Sequence, residues 1–358
     1  MRLKVDLDTV WRFGKADDHD LELPLLALLE GIERTGKLTL AARSAGISHR
    51  HAWNLMDKWA EFFDAPLVTI ERGRGTRLSV LGTKLLWAGR RAQARLEPEL
   101  ANLAAELASS LNSAAGAPVL RVHASHDFCL AKLRELASMT RTISIDLRYY
   151  GSAEALASLR RGGCEVAGFH VAEGPLGRRA AMLYAEALEP ASRLISMATR
   201  VQGLMVARGN PKSIRSVADL TQPGVRLINR QRDSGTRIML EELLAEAGID
   251  PRRIEGYENE EHTHAAVAAH IAGGMADVGL GIEAAARQFE LGFVPIANER
   301  YFFAVDNELL ERREGKVLIG LLRGDAFHEA LTALHGRRAH KAGELTRIAD
   351  TPPWQGLI

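Results

Sequence analysis

Apolar side chains recur every three or four positions over residues 38–63. Leu38-Thr39-Leu40-Ala41-Ala42 predicts a short helix over 38–45 that breaks at Gly46, and Ser48 stands where it can cap a second helix reaching about Phe63. On the second helix Ala52, Leu55, Met56, Trp59 and Phe63 share one face, which leaves His49, Arg50, His51, Asn54 and Lys58 on the other. Positions 67–70 and 77–80 then read as two short strands around the basic tip Arg72-Gly73-Arg74-Gly75. Leu85, Leu86, Leu96, Leu100, Leu103 and Leu107 next mark one long amphipathic helix, with Pro98 as a candidate kink and a break at Asn112–Pro118.

Beyond that break the pattern alternates. Strands are expected at 119–123, 143–149, 166–170, 225–229 and 278–280, and helices at 127–139, 153–161, 235–247 and 263–272. Strand and helix in turn call for an α/β fold with parallel sheets covered by helices.

Charge sharpens the picture at the front of the chain. The 358 residues carry a formal charge of only +1, yet 34–95 hold twelve Lys and Arg against four Asp and Glu. A helix-turn-helix followed by a basic two-stranded tip is the arrangement of a winged helix-turn-helix. Phosphate neutralisation supplies most non-specific DNA affinity, and side chains near the start of a recognition helix reach base edges. Ser48, His49, Arg50, His51, Asn54 and Lys58, with Arg72 and Arg74 in the wing, are therefore the candidate DNA-binding residues.

The run ISHRHAWNLMDKW resembles the recognition helix of the ModE family of molybdate-responsive repressors. FDAPLV, the basic wing and LSVLGTKLL are similar to LysR-type regulators as well, a resemblance covering about residues 21–90. It implies that Ser48, His49, Arg50 and Asn54 contact DNA, that Ala52, Met56 and Trp59 are core, and that the long helix joins two subunits. His51 departs from the family pattern, where a smaller residue is usual. The segments INRQRDSGTR, GYENEEHTHAAVAAHIAGGMADVGLGIEAAA and FVPIANERYFFAV resemble the type II periplasmic-binding-protein-like domains fused to DNA-binding modules or to molybdopterin-biosynthesis enzymes. This implies two lobes with crossings near 201–209 and 293–300. The expected organisation is a winged domain at 1–80, a linker and dimerisation helix at 81–117, and a two-lobed effector domain at 118–358. Within the last, lobe I would take 118–203 and 295–358, and lobe II 204–294.

The loop Gln231-Arg232-Asp233-Ser234-Gly235-Thr236-Arg237 follows a strand and opens a helix. Hydroxyls at Ser234 and Thr236, close backbone approach at Gly235 and the partial positive charge of a helix N-terminus suit an anion, with Arg232 or Arg237 adding charge-assisted bonds. Ser125, His126 and Ser152 are placed to supply donors from the opposing lobe, and Glu283 and Tyr301 are candidate lining residues. His262 and His264 are two apart on the chain and diverge on a helix, so no metal site is expected among Glu260, Glu261, His262, His264 and His270.

Cys129 and Cys164 lack metal or redox spacing and read as buried thiols. No catalytic motif of the GxSxG, Walker, HExxH or GxGxxG kind is present, so neither catalytic residues nor a cofactor is expected. No signal segment or apolar run of membrane-spanning length occurs, which predicts a cytoplasmic protein without a membrane partner. The sequence thus predicts a transcriptional regulator that binds double-stranded operator DNA as a homodimer or homotetramer and senses a small anion. By its resemblances that effector is molybdate, tungstate or a molybdenum-cofactor-related compound, with a small carboxylate such as formate as the alternative. Two other readings stay open: a sensor of a protein partner, and a molybdenum-cofactor biosynthesis enzyme with an accessory DNA-binding domain.

Overall fold

The computed structural model describes the chain apart from residues 1–4, 14–18, 22, 72–74, 115–118, 141–142, 189–191, 233, 335–336 and 356–358. It divides into a compact unit Asp8–Ala94 and a larger one comprising Arg95–Ile358 with the residues before Asp8.

The smaller unit opens with a hairpin, β1 (Trp11–Phe13) and β2 (His19–Leu21), followed by α1 (Leu23–Thr35), α2 (Leu38–Ser44) and α3 (His49–Phe63). Gly46, at φ +69°, lets the chain turn sharply after α2, and Ile47 N–H closes the turn on the Ala42 carbonyl. Ser48 caps α3 by accepting from His51 N–H at 3.1 Å. Ala52, Leu55, Met56 and Trp59 are buried with Leu25, Leu28, Leu29 and Ile32 of α1, while Phe63 stays half-buried. The wing is β3 (Val68–Glu71) paired antiparallel with β4 (Gly75–Leu78). Val80, expected in the second strand, instead begins α4 (Val80–Ala114), because the Ser79 hydroxyl accepts from Gly82 N–H and starts the helix there. Gly75 sits at φ +97°, and a Cβ there would lie 2.3 Å from the Gly36 carbonyl oxygen, so the wing base tolerates only glycine.

In the larger unit the order is β5 (Val119–Ala124), α5 (Phe128–Thr140), β6 (Ser144–Tyr149), α6 (Ser152–Arg160), β7 (Val166–Ala172), α7 (Arg178–Ala185) and β8 (Arg193–Val206). There follow β9 (Asn229–Arg230), α8 (Gly235–Glu246), β10 (Glu260–Glu261), α9 (His264–Ala272), β11 (Val278–Ile282), α10 (Glu283–Gln288) and β12 (Gly292–Val305). Last come α11 (Asn307–Glu311), α12 (Arg313–Arg323), α13 (Asp325–Thr332), β13 (Arg337–Ala339) and β14 (Leu345–Arg347). The main sheet has the order β11-β8-β12-β7-β5-β6, with β13 and β14 also on β8. β5 pairs parallel with β6 and β7, as the alternating pattern predicts. β8 and β12 correct that expectation: each runs 14 residues, antiparallel to the other, so the sheet is mixed. They oppose because one carries the chain out of lobe I and the other brings it back. β11 pairs with the Gln202–Val206 half of β8, whereas β7 pairs with the Glu299–Val305 half of β12. The two lobes therefore share one ribbon, and the lobes meet near Arg200, Gln202 and Glu299. The strand expected over 225–229 is shorter, β9 with single bridges at Arg226 and Leu227.

Leu120, Val122, Leu147 and Phe303 share one buried cluster of lobe I with Leu318 and Phe327, while Leu204, Leu240 and Leu280 anchor a cluster of lobe II. Cys129 and Cys164 are buried thiols.

Candidate functional site

A cavity of about 220 Å³ opens where the two lobes of the larger unit meet. This is below the roughly 300–1,000 Å³ of pockets for drug-sized ligands, so its volume suits a small guest. Helix starts converge on it. Gly151 and Ser152 begin α6, Ser234, Gly235 and Thr236 begin α8, and Thr263 and His264 begin α9, all lining the cavity with Ser125 and His126 just before α5. Ser234 and Thr263 accept from Arg237 N–H and Ala266 N–H, satisfying one orphan donor of each helix; the first amides of α8 and α9 have no helical partner. Those amides and the aligned dipoles favour a negative guest.

Two buried arginines line the same cavity. Arg200 on β8 donates through Nε to Glu299 Oε2 at 2.6 Å and through a terminal nitrogen to Asp127 Oδ2 at 3.1 Å. Burial raises the Glu299 carboxyl, yet Arg200 beside it wins and holds it below the usual range. Arg230 on β9 donates instead to neutral acceptors, the Gln231 side chain at 3.0 Å and the His262 carbonyl at 2.9 Å. Among the described residues no carboxylate lies within ion-pairing distance of it. Burial, with Arg200 adding repulsion, pushes its guanidinium down to about 9. A buried cation with only neutral partners is costly unless an anion joins it.

Histidines complete the floor. His170 Nε2 lies 2.9 Å from Asp127 Oδ2 and its Nδ1 lies 2.8 Å from Ser125 Oγ. Burial and then Arg200 push His170 down to about 4, so the ring is neutral. Tyr301 stacks on that ring at 3.9 Å between centroids and donates its hydroxyl to the Ser125 carbonyl at 3.1 Å. His264 is held well below its ordinary range by burial and then by Arg230 and Arg200, and its buried Nδ1 has no hydrogen-bond partner among the described residues. The rim carries Arg95, Pro98, Glu99 and Asn102 of α4. Asn102 exchanges two bonds with the Tyr149 backbone, at 2.6 and 2.9 Å, and Arg95 reaches Glu261 at 3.9 Å, so this helix touches both lobes.

Ser125, His126, Ser152, Ser234, Gly235 and Thr236 thus come together as the sequence suggests. Four candidates do not line the cavity. Arg232 points outward and pairs with Glu258 at 3.0 Å, because it precedes the cap on an exposed turn. Arg237 turns back into lobe II, bonding Glu241 and the Tyr257 carbonyl and lying 4.0 Å over the Tyr257 ring. Glu283 pairs with Arg287 one helical turn on. Tyr301 lies behind the wall, supporting His170 and Ser125. The sequence reading passed over Arg200, Arg230, His170 and Glu299. For Arg200 and His170 the available signal was a charged or imidazole group inside the apolar runs LISMATRVQGLMV and VAGFHVA.

In the smaller unit Ser48, just before α3, and His49, Arg50, His51, Asn54 and Lys58 on it are all exposed, away from the helix's buried face. Ser48 is also the cap. Arg72 and Arg74 lie outside the described residues.

A two-lobed cleft on shared crossover strands defines the class of bilobal binding proteins. The chain belongs to the PBP superfamily, whose domain model matches residues 133–323. The uncharacterized protein YvgK of Bacillus subtilis (strain 168) is 31% identical over 202 residues, 55% of this chain and 64% of that protein. The chain thus spans less than two thirds of that relative. The molybdenum transport protein ModE of Herbaspirillum seropedicae is 35% identical over 81 residues, 22% of this chain and 30% of its own length. A solved structure of a Corynebacterium glutamicum OxyR mutant with bound H2O2 superposes with a TM-score of 0.45 at 16% identity, covering 87% of this chain and 94% of that one.

Proposed function

We propose that the protein is a ligand-responsive transcriptional regulator: α3 and the wing bind operator DNA, and the cleft of the larger unit senses a small anion. The observation that carries the sensing half is Arg230, a buried guanidinium whose hydrogen-bond partners among the described residues are neutral, on a cavity ringed by helix N-termini. An anion there would complete the arginine and draw donors from both lobes together, which favours the closed state by its differential affinity. The exposed polar face of α3 and the excess of basic residues over 34–95 support the DNA half.

The likeness to a ModE protein makes molybdate and tungstate the first effectors to test, and formate the second. Contacts of α4 with Tyr149 and Glu261 offer a route by which lobe closure reaches the linker helix. On that helix Leu103, Leu107 and Leu111 are exposed four apart, an apolar stripe that suits a homo-oligomer. A thermal-shift screen of molybdate, tungstate, sulfate, phosphate, formate and dicarboxylates tests the sensor, since a guest selective for the folded protein raises its melting temperature. Binding of the protein's own promoter against scrambled duplex, with and without the hit, tests the regulator; equal affinity for both duplexes would refute it.

A further inference from the structure

Ser125, His170 and Asp127 form a hydrogen-bonded chain opening on the cleft, with links of 2.8 and 2.9 Å. Two chemistries use such a chain: a nucleophilic serine with its base, or a hydroxyl whose proton is permanently committed. The surroundings decide between them. Asp127 is fixed as an anion by Arg200 at 3.1 Å on Oδ2 and by the Cys129 amide at 2.9 Å on Oδ1. Its carboxylate therefore requires the proton of His170 on Nε2, and the Nδ1 lone pair can only accept. The Ser125 hydroxyl must then donate to Nδ1. Burial disfavours an imidazolium, and together with the Arg200 charge, bonded to the same carboxylate oxygen as His170, it outweighs the support that Asp127 gives that cation. A base of that kind does not take the serine proton near neutral pH. Tyr301 locks the geometry, stacked on the ring and bonded to the Ser125 carbonyl.

We infer that Ser125 is a fixed hydrogen-bond acceptor in an otherwise donor-rich cleft, and that the natural effector carries an O–H group on or beside its anionic oxygens. The Glu299 carboxylate, bonded to Arg200, lines the same cavity and adds negative charge beside it. A fully deprotonated tetrahedral dianion sets bare oxygens against both. A protonated oxyanion, or a carboxylate with a neighbouring hydroxyl, donates to Ser125 while its anionic oxygens take the helix amides and Arg230. This inference rests on the anion-sensing reading and reorders its candidates, moving molybdate and tungstate behind hydroxyl-bearing anions.

The test is calorimetric titration of the full chain at neutral pH with two sets of probes. Inorganic phosphate and arsenate, which keep a proton, are compared with sulfate and molybdate, which do not; glycolate and lactate are compared with acetate and formate. A donor-bearing probe is expected to bind roughly 10-fold more tightly than its bare counterpart, the effect of one hydrogen bond between neutral groups. The first or the second comparison giving that preference tells the protonated oxyanion from the hydroxy acid. Ser125→Ala should erase the preference and Ser125→Thr restore it, with unfolding curves confirming that both variants fold. Sulfate or molybdate binding as tightly as phosphate and the hydroxy acids, or a preference that survives Ser125→Ala, would overturn the inference while leaving the anion reading intact. Binding of no anion at all would overturn both. Ser125-dependent hydrolysis of p-nitrophenyl acetate would overturn it in favour of the nucleophile.

Discussion

Arg200 and Glu299 are cross-strand partners in the register of β8 and β12, joined by a 2.6 Å bond where the lobes meet. Both are buried, and the guanidinium also serves Asp127. Removing one partner of such a network leaves the rest charged and unpaired in a poor solvent. Arg200→Leu is expected to lower stability by about 3–5 kcal/mol. Urea unfolding measures this, and a change below about 1 kcal/mol would mean the network is not cohesive.

Arg230 predicts the opposite division of effects. Its guanidinium meets a side-chain amide and a backbone carbonyl, so replacing it relieves a desolvation cost about as large as the bonds lost. Arg230→Gln should keep the ligand-free melting temperature within a few degrees while weakening anion binding at least roughly ten-fold. Titration with the best anion of the screen is the check; undiminished affinity would move the site elsewhere.

Acid should loosen the cleft. His170 ordinarily titrates at 6.5 but is held at about 4 by burial and Arg200, so the unfolded chain takes up a proton that the folded one refuses. Stability from this group is complete above the ordinary value and is lost as pH falls through the window toward 4. His264 shifts in the same direction, and the depressed Glu299 loses its contribution at still lower pH. His170 alone should cost about 2 kcal/mol between about pH 7 and about pH 5, read from unfolding curves at the two values. A flat profile would contradict a neutral buried ring.

Arg50 is exposed near the start of α3, away from the buried face. Arg50→Ala is expected to cost about 1–3 kcal/mol of operator affinity, by fluorescence anisotropy, with no change in thermal unfolding. An unchanged isotherm would remove this residue from the interface.

Leu103 and Leu107 are each about half exposed on α4. Leu103→Glu with Leu107→Glu should convert an oligomer to monomers in sedimentation velocity, because burying two carboxylates costs far more than the apolar contact returns. A distribution unaffected by both changes would place self-association on another surface.

Periodicity alone determined most of the smaller unit. The αL glycine, the Ser48 cap and the inward row from Ala52 to Trp59 are local in sequence, each set by a few neighbouring residues. The start of α8 at Ser234 and of α9 at Thr263 was legible for the same reason, since capping is a short-range hydrogen bond. Only the tertiary structure decided which charges meet. Arg200 and Glu299 are 99 positions apart and join because two opposed strands share one ribbon; Ser125 and His170 are 45 apart and meet across β5 and β7. Arg232 and Arg237 stood out in the motif and Arg230 did not, yet one of the two faces water, the other turns into lobe II, and Arg230 lines the cavity. Which way a side chain faces from a turn, and what its charge finds there, depends on elements packed from elsewhere in the chain, so composition and spacing picked out the loop at the start of α8 while only the fold decided which arginine lines the cavity.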